Sequence, residues 1–565
     1  MKDFFSRTRS GAQGLAQRVS QLRLKPAMLV ALIAGVLATL MQAPFGLWPL
    51  MFLVWPVCIL LLDSTLRAPR PLRAAFAIGW AFGFGSFISG LYWIGNSFLV
   101  DAETHGWIMP FAMTILPAGL GLFTGLAFLL ARRFRVDGWR RIIWFAAAFS
   151  LIEFMRGHVL TGFPWNMPGQ IFSENIFLIQ SASLFGAYGL NLIVLVMGAS
   201  VATLADNAAM RARVMLPSLS LVALGALMIF GALRLPAGED WVDGVRIRII
   251  QPNVPQAEKY VPELRQRNWR RLIAPLLDVR EAGITHVVWP EAAPPFLLDR
   301  SDDALAVIKD LLGDIVLMTG AARVEEDASG ERFFNSFHVI RDGRILATYD
   351  KAHLVPFGEY LPLSGLLEAL GLTKIIGGGG NFSEGPGVAT LTVPGAPPMG
   401  PLICYEVIFP AEVADDALRP AFLVNVTDDS WFGDTIGPQQ HLAQARLRAV
   451  EEGLPIVRAA NTGVSALIDP YGRILSRLPY GSEGAIDVSL PASLSGTLFM
   501  VAGRSVFILL FILAVFIRAS AHPVFVRTHN KNNAQVRLSS FATQPLTRAL
   551  HSPMWDLYPL RADRA

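Results

Sequence analysis

Hydrophobic and polar positions divide this chain into two regimes. Between residues 27 and 236, apolar residues run for about a bilayer's width at a time, at 27–46, 48–66, 73–99, 107–131, 140–156, 177–204 and 214–234. A membrane-spanning helix needs roughly 20 such residues, so this stretch predicts seven transmembrane helices. The fifth is the weakest, with Glu153 and Arg156 near its end. An eighth run, "GTLFMVAGRSVFILLFILAVFI" at 496–517, encloses Arg504.

Between residues 240 and 490 the pattern changes to short apolar runs broken by polar turns. "VRIRIIQPN" (245–253), "HVVWPEAAP" (286–294), "IVLMTGAARV" (315–324), "PLICYEVIF" and "AFLVNVTDDSWFG" read as strands. "SFHVIRDGRILATYDK" (336–351) reads as a hairpin around Asp-Gly. Helices fit 258–282, 302–312 and 438–452, the last opened by Pro438 and closed by Gly453. Strands alternating with helices predict a layered α/β domain over 240–490.

Composition agrees with two regimes. The chain is 53% hydrophobic and 16% charged over 565 residues, where soluble proteins carry about 25% charged residues. Net charge, +4, is small and marks no nucleic-acid partner. Its placement is informative: Lys and Arg collect in the N-terminal segment 1–26 and in the loops after spans two, four and six. Positive charge stays in the cytoplasm. The 240–490 domain is then expected outside the cytoplasmic membrane, with the basic tail 520–565 inside and poorly ordered. The long basic start and the lack of a small-residue cleavage site argue for a retained first span. Glycines in "GWAFGFGSFISGLYWIG" (79–95) predict close helix packing. Trp165 in "TGFPWNMPGQ" is expected at a membrane interface.

Candidate chemistry centres on sulfur. There are only two cysteines, too few for a disulfide framework. Cys58 sits in a wholly apolar run and reads as packing. Cys404 lies in "ICYEVIFP" at a strand end, where α/β sheets place reactive groups; Glu291 and Lys351 follow strands too. A carboxylate can take a thiol's proton, and a lysine can stabilise thiolate and oxyanion. The three suffice for acyl transfer without metal or cofactor. Each also has an ordinary structural reading, and spacing alone leaves the choice open.

The blocks "WPEAAPP" (289–295), "YDKAHLVPFGEYLP" (349–362) and "ICYEVIFP" (403–410) resemble the nitrilase superfamily. With the membrane spans, "TGFPW", "DDSWFG", "IGPQQHLAQARLRAVE" and "RAANTGVSA", the chain resembles the apolipoprotein N-acyltransferases of Gram-negative bacteria over about residues 25–517. The resemblance implies an αββα sandwich on the periplasmic side of the inner membrane. It implies Glu291 as general base, Lys351 as stabiliser of the intermediate and Cys404 as nucleophile. The acyl donor would be a phospholipid and the acceptor a diacylglyceryl apolipoprotein, with a thioester between two ping-pong steps. Supporting roles fall to Glu359, Tyr405 (through its backbone N–H), Glu406, Trp431 and Tyr260. His353 is expected to make a structural hydrogen bond. "IIGGGGNFSEG" (375–385) reads as a mobile loop. A monomer suffices, and removing the spans is expected to harm turnover more than folding of 240–490. Two positions depart from the family: Asp428 stands where Asn is usual, and Tyr260 where Trp is common. The competing readings are a membrane-tethered nitrilase-like hydrolase, separable by its products, and a transporter, disfavoured by the lack of an internal repeat.

Overall fold

The computed structural model describes residues 13–327, 330–362, 381–503 and 505–520. Expectations for residues 1–12, Arg504, the glycines at 377–380 and the tail beyond 520 lie outside the described residues. Helices stand in every expected apolar run: α1 Leu24–Thr39, α2 Met51–Ser64, α3 Pro71–Gly90, α4 Met109–Arg133, α5 Arg140–Arg156, α6 Ala182–Ala199, α7 Met210–Arg234 and, after the sandwich, Ser505–Ala519. With their flanking turns, five are long and apolar enough to cross a membrane, at Trp48–Arg67, Pro71–Gly90, Ala102–Arg133, Ile179–Ala205 and Met210–Arg234. Gln13–Val19 and α1, bent by 115°, supply a sixth if they form one span. α5, at 17 residues, and Ser505–Ala519, at 15, are shorter. The third expected span is also shorter than 73–99, because α3 stops at Gly90 and Tyr92–Leu99 winds as a 3₁₀ stretch.

Glycine does the expected packing work between α1 and α3. A Cβ on Gly35 would lie 2.0 Å from the Phe82 carbonyl oxygen, and one on Gly85 would lie 2.2 Å from that of Leu32. The two backbones touch because neither carries a side chain there. α6 is broken at Gly186 (φ 60°, ψ 172°).

The second half is a two-sheet sandwich. Its strands are β1 Trp241–Gln251, β2 His286–Val288, β3 Val316–Asp327, β4 Gly330–Arg341, β5 Arg344–Asp350, β6 Met399–Ile403, β7 Phe422–Thr427, β8 Ile456–Ala460, β9 Ser465–Ile468, β10 Ile474–Leu478 and β11 Gly484–Pro491. One sheet runs β11-β1-β2-β3-β4-β5 and the other β10-β9-β8-β7-β6. β1-β2-β3 and β6-β7-β8 are parallel, so their reactive C-terminal ends gather at one edge. Alternation sorts the faces: Val245, Ile247 and Ile249 point between the sheets, while Ile250 points out to the helices. The β4–β5 turn has Asp342 and Gly343 both at positive φ, as a tight Asp-Gly hairpin requires.

Helices α8 Arg265–Ile273 and α9 Asp302–Leu312 cover the first sheet. The helix expected over 258–282 contracts to α8, because Pro262 and Pro275 bracket it. α10 Gly437–Glu452 covers the second sheet and is also buried on its far side. Leu442, Ala445 and Ala449 share a cluster with Leu423 and Ile456 of the sheet and with Phe87, Leu91 and Trp165. Leu447 and Val450 pack on Ile179, Ala182 and Leu190. Trp165 is therefore only 1% exposed and donates its indole N–H to Gln440 Oε1 at 2.7 Å. The ring is thus buried rather than exposed, and Gln440 supplies its polar partner inside the protein.

Candidate active site

Each of the three expected residues follows a strand at the gathered edge. Glu291 comes three residues after β2. Gly320 on β3 backs it so closely that a Cβ there would meet Glu291 Cα at 2.6 Å. Glu291 is 7% exposed and takes two hydrogen bonds, from Asn335 Nδ2 (2.8 Å, to Oε1) and the Asp428 backbone N–H (2.9 Å, to Oε2). Burial pushes its carboxyl above the ordinary carboxylate range; Lys351 opposes that, while Glu359 and Asp428 add to it.

Lys351 leaves the end of β5 and is 1% exposed. Its Nζ lies 3.0 Å from Glu359 Oε1 and 3.5 Å from Glu291 Oε1. Burial works against its charge, but Glu359 and Glu291 outweigh it and hold the ammonium above the ordinary lysine range. Glu359 in turn accepts from Asn335 Nδ2 (2.8 Å) and the Val355 N–H (2.8 Å). Asn335 thus bridges the two glutamates on either side of the lysine. It was missed in the sequence, where it is one polar letter in the buried run "FFNSF".

Cys404 follows β6 directly, in the left-handed region (φ 49°), and is 8% exposed. Burial and the charge of Glu291 push its thiol well above its ordinary value, and Lys351 pulls it back. Glu406 clamps the turn: its carboxylate accepts from Ile403 N–H (2.7 Å), Tyr349 O–H (2.7 Å), Ala352 N–H (2.7 Å) and His353 N–H (3.3 Å). One side chain therefore ties the Cys404 turn to the segment carrying Lys351. His353 also pairs with Glu412 at 3.1 Å and stacks on Phe409. The Tyr405 hydroxyl donates to the Gly162 carbonyl (2.8 Å), in the loop after α5.

Comparison with known proteins follows the same division. Residues 34–200 match the apolipoprotein N-acyltransferase N-terminal domain, and residues 246–498 match carbon-nitrogen hydrolase. The apolipoprotein N-acyltransferase of Rhodopseudomonas palustris is 43% identical over 508 residues, covering 86% of this chain and 94% of the relative. The chain belongs to the apolipoprotein N-acyltransferase family. Its counterpart in Bradyrhizobium diazoefficiens is 43% identical over 88% of this chain and 96% of the relative. A solved amidase from Nesterenkonia sp. overlays 47% of this chain and 96% of its own, at 20% identity and a TM-score of 0.33.

Within this chain the departure at 428 has a partner. Asp428 Oδ2 accepts from Lys259 Nζ at 2.6 Å, and both are buried. Lys259 Nζ also donates to the Glu291 carbonyl (3.1 Å), and Asp428 further binds Asn461 Nδ2 and Ser430. The charge that replaces the usual amide is thus neutralised by a lysine that the sequence reading passed over beside Tyr260. Tyr260 itself is 54% exposed, yet the charges of Lys259, Asp428 and Glu291 bear on its hydroxyl, so both neighbours border the site. Trp431 meets the membrane half through its backbone, its carbonyl accepting from Ser97 Oγ (3.2 Å) and Asn96 Nδ2 (3.4 Å).

Proposed function

We propose that this protein moves an acyl chain from a phospholipid to the α-amino group of the N-terminal S-diacylglyceryl-cysteine of apolipoproteins, through a thioester on Cys404. The observation that carries this reading is the meeting of two halves at one thiol. Glu291 and Lys351 act on Cys404 from the sandwich, Glu359 holds Lys351, and the residue after the thiol, Tyr405, is bonded to a loop of the apolar helices.

The chemistry balances around one proton. Glu291 takes the Cys404 proton as sulfur attacks the ester carbonyl. Lys351 and the Tyr405 backbone N–H stabilise the oxyanion. The carbon–oxygen bond then breaks, Glu291 returns the proton to the leaving alkoxide, and a lysophospholipid departs. In the second step the acceptor amine attacks the thioester carbonyl. Glu291 accepts its proton, the carbon–sulfur bond breaks, and the proton returns to sulfur. A thiol held well above its ordinary value suits this cycle, because it ionises only as its proton leaves for a poised base. Glu359, Glu406 and Asn335 position the acid–base pair and the nucleophile.

In the same reading the chain crosses the bacterial inner membrane eight times, the two short helices included. Residues 1–26 and 520–565 lie in the cytoplasm, 27–236 hold seven crossings, 240–490 lie on the periplasmic side and 496–517 return. The asymmetry of Lys and Arg between loops supports that orientation. Tethering both substrates at one interface replaces a rare encounter by a local one.

The test is intact-mass spectrometry after incubation with phospholipid. The wild type should gain one acyl chain, released by hydroxylamine, and Cys404→Ala should gain none. Adding a diacylglyceryl peptide should discharge the acyl chain onto the peptide's amine. Discharge to free fatty acid with peptide present would make the protein a hydrolase; an adduct on Cys404→Ala would remove the thiol from the reaction.

A further inference from the structure

Against the Cys404 carbonyl lies a second buried network that the reaction above does not use. His441, on α10, is 0% exposed. Its Nε2 lies 3.2 Å from the Cys404 carbonyl oxygen, and its Nδ1 lies 2.8 Å from Asp429 Oδ1 and 3.1 Å from Arg458 Nη2. Asp429 also accepts from Arg458 Nη2 (2.6 Å, to Oδ2) and Thr427 Oγ1 (3.0 Å). Arg458 continues to Asn425 Oδ1. Trp165 and Phe432 face the imidazole, each with ring centroids 5.7 Å away.

A carbonyl oxygen only accepts, so its contact with His441 places a proton on Nε2. When the ring is charged, Nδ1 donates to Asp429 Oδ1 and Nε2 to the Cys404 carbonyl, so both contacts are satisfied. The bond lands on a particular peptide unit. The Cys404 C=O and the Tyr405 N–H share one plane and point in opposite directions. Fastening the oxygen therefore aims the N–H. Cys404 needs such a hold, because its φ of 49° lies in a region that non-glycine residues seldom occupy. A donor on the carbonyl also polarises the amide and strengthens its N–H as a donor.

We infer that His441 is a positioning residue for the oxyanion donor: held by Asp429 and Arg458, it fixes the Cys404–Tyr405 peptide so that the Tyr405 N–H faces the developing oxyanion. This rests on the acyl-transfer reading of Cys404. It also links catalysis to the membrane half. Gln440, the preceding residue, accepts from the indole N–H of both Trp93 (3.2 Å) and Trp165 (2.7 Å), so the helix carrying His441 is pinned from that side.

The test separates thiolate from oxyanion. Alkylation by iodoacetamide needs the thiolate but forms no oxyanion; acylation by phospholipid needs both. All variants are made in full-length protein with Cys58→Ala, so that Cys404 is the one thiol. His441→Phe keeps a ring among Trp165 and Phe432 but removes the donor. It should slow thioester formation by about 10²-fold, chiefly in the rate constant rather than in half-saturation by lipid, while alkylation stays within about threefold. His441→Gln, which can place an amide N–H near the old Nε2, should recover most of the loss. Equal losses of acylation and alkylation in His441→Phe would overturn the inference, as would unchanged acylation, or a His441→Gln no better than His441→Phe at equal thermal stability. Cys404→Ala reports separately on the underlying reading: acylation persisting there would sink that reading whatever His441 does.

Discussion

Glu291 and Asp429 are carboxylates sealed to nearly the same degree, 7% and 0% exposed, and the charge of each bears on the Cys404 thiol. Burial raises both, yet they end on opposite sides of the ordinary range. Asp429 has Arg458 at 2.6 Å, His441 and the Thr427 hydroxyl, and these pull it well below. Glu291 shares its one lysine with Glu359 and has Asp428 beside it, so it stays above. Dedicated partners make a strut; a shared cation makes a base. Both charges raise the Cys404 thiol, one from a carboxylate above the ordinary range and one from a carboxylate below it.

The strongest way to break this contrast is Glu291→Gln. The amide keeps the shape but cannot take the thiol's proton, and thioester formation measured by intact mass should fall by about 10²–10⁴-fold. A loss below tenfold would return the base to another group. Asp429→Asn attacks the strut instead. Arg458, 0% exposed, loses its anion, and stability should fall by about 3–5 kcal/mol, read as Tm in detergent. An unchanged Tm would show that Asp429 is not structural.

Acidification sharpens the comparison without mutation. Glu291 must be ionised to act as base, so acylation should drop about tenfold per pH unit once the pH passes below its raised value. Asp429, held low, contributes stability that is present above the ordinary carboxylate value of about 3.9 and is lost only as the pH falls towards its folded value. The rate should therefore decline over a range in which Tm is not lowered by Asp429. A rate that fell only together with Tm would merge the two roles. The smallest effect is expected at Tyr260→Phe, which keeps a half-exposed ring and loses only its hydroxyl; stability should change by no more than about 0.5 kcal/mol in a denaturant or thermal melt.

Glu291, Lys351 and Cys404 were legible as candidates because each comes just after a strand inside a block of recognisable sequence, and Glu359 and Glu406 came with the same blocks. Lys259, Asn335 and His441 were not. A lone polar letter beside a buried run carries no sign of what it faces after folding. α10 shows why most clearly. Its "GPQQHLAQARLRAVEE" has the polar content of a surface helix, yet it is buried on both sides, because its polar groups bond to the sheet, to Trp93 and Trp165, and to α6. The strands β8 and β9 were unread for a related reason: Arg458 and Ser465 interrupt the apolar runs and find partners, Asn425 and Gln251, that are distant in sequence. The helix bundle was legible in position, since apolar length marks it, but not in its breaks.

The break in α6 bears on how the molecule is made. The Ala187 N–H left open after Gly186 is met by Glu451 Oε1 at 2.6 Å, from a residue 264 positions later. At about 5–20 residues per second, synthesis leaves that group waiting roughly 10–50 s for its partner. The membrane bundle is thus finished by a side chain of the sandwich, and α10 in turn has both faces covered only when the bundle is present. An excised 240–490 fragment would bare one of those faces, which revises the expectation that the spans matter for turnover more than for folding. The two halves are separate in sequence pattern and ancestry of motif, but they mature as one object.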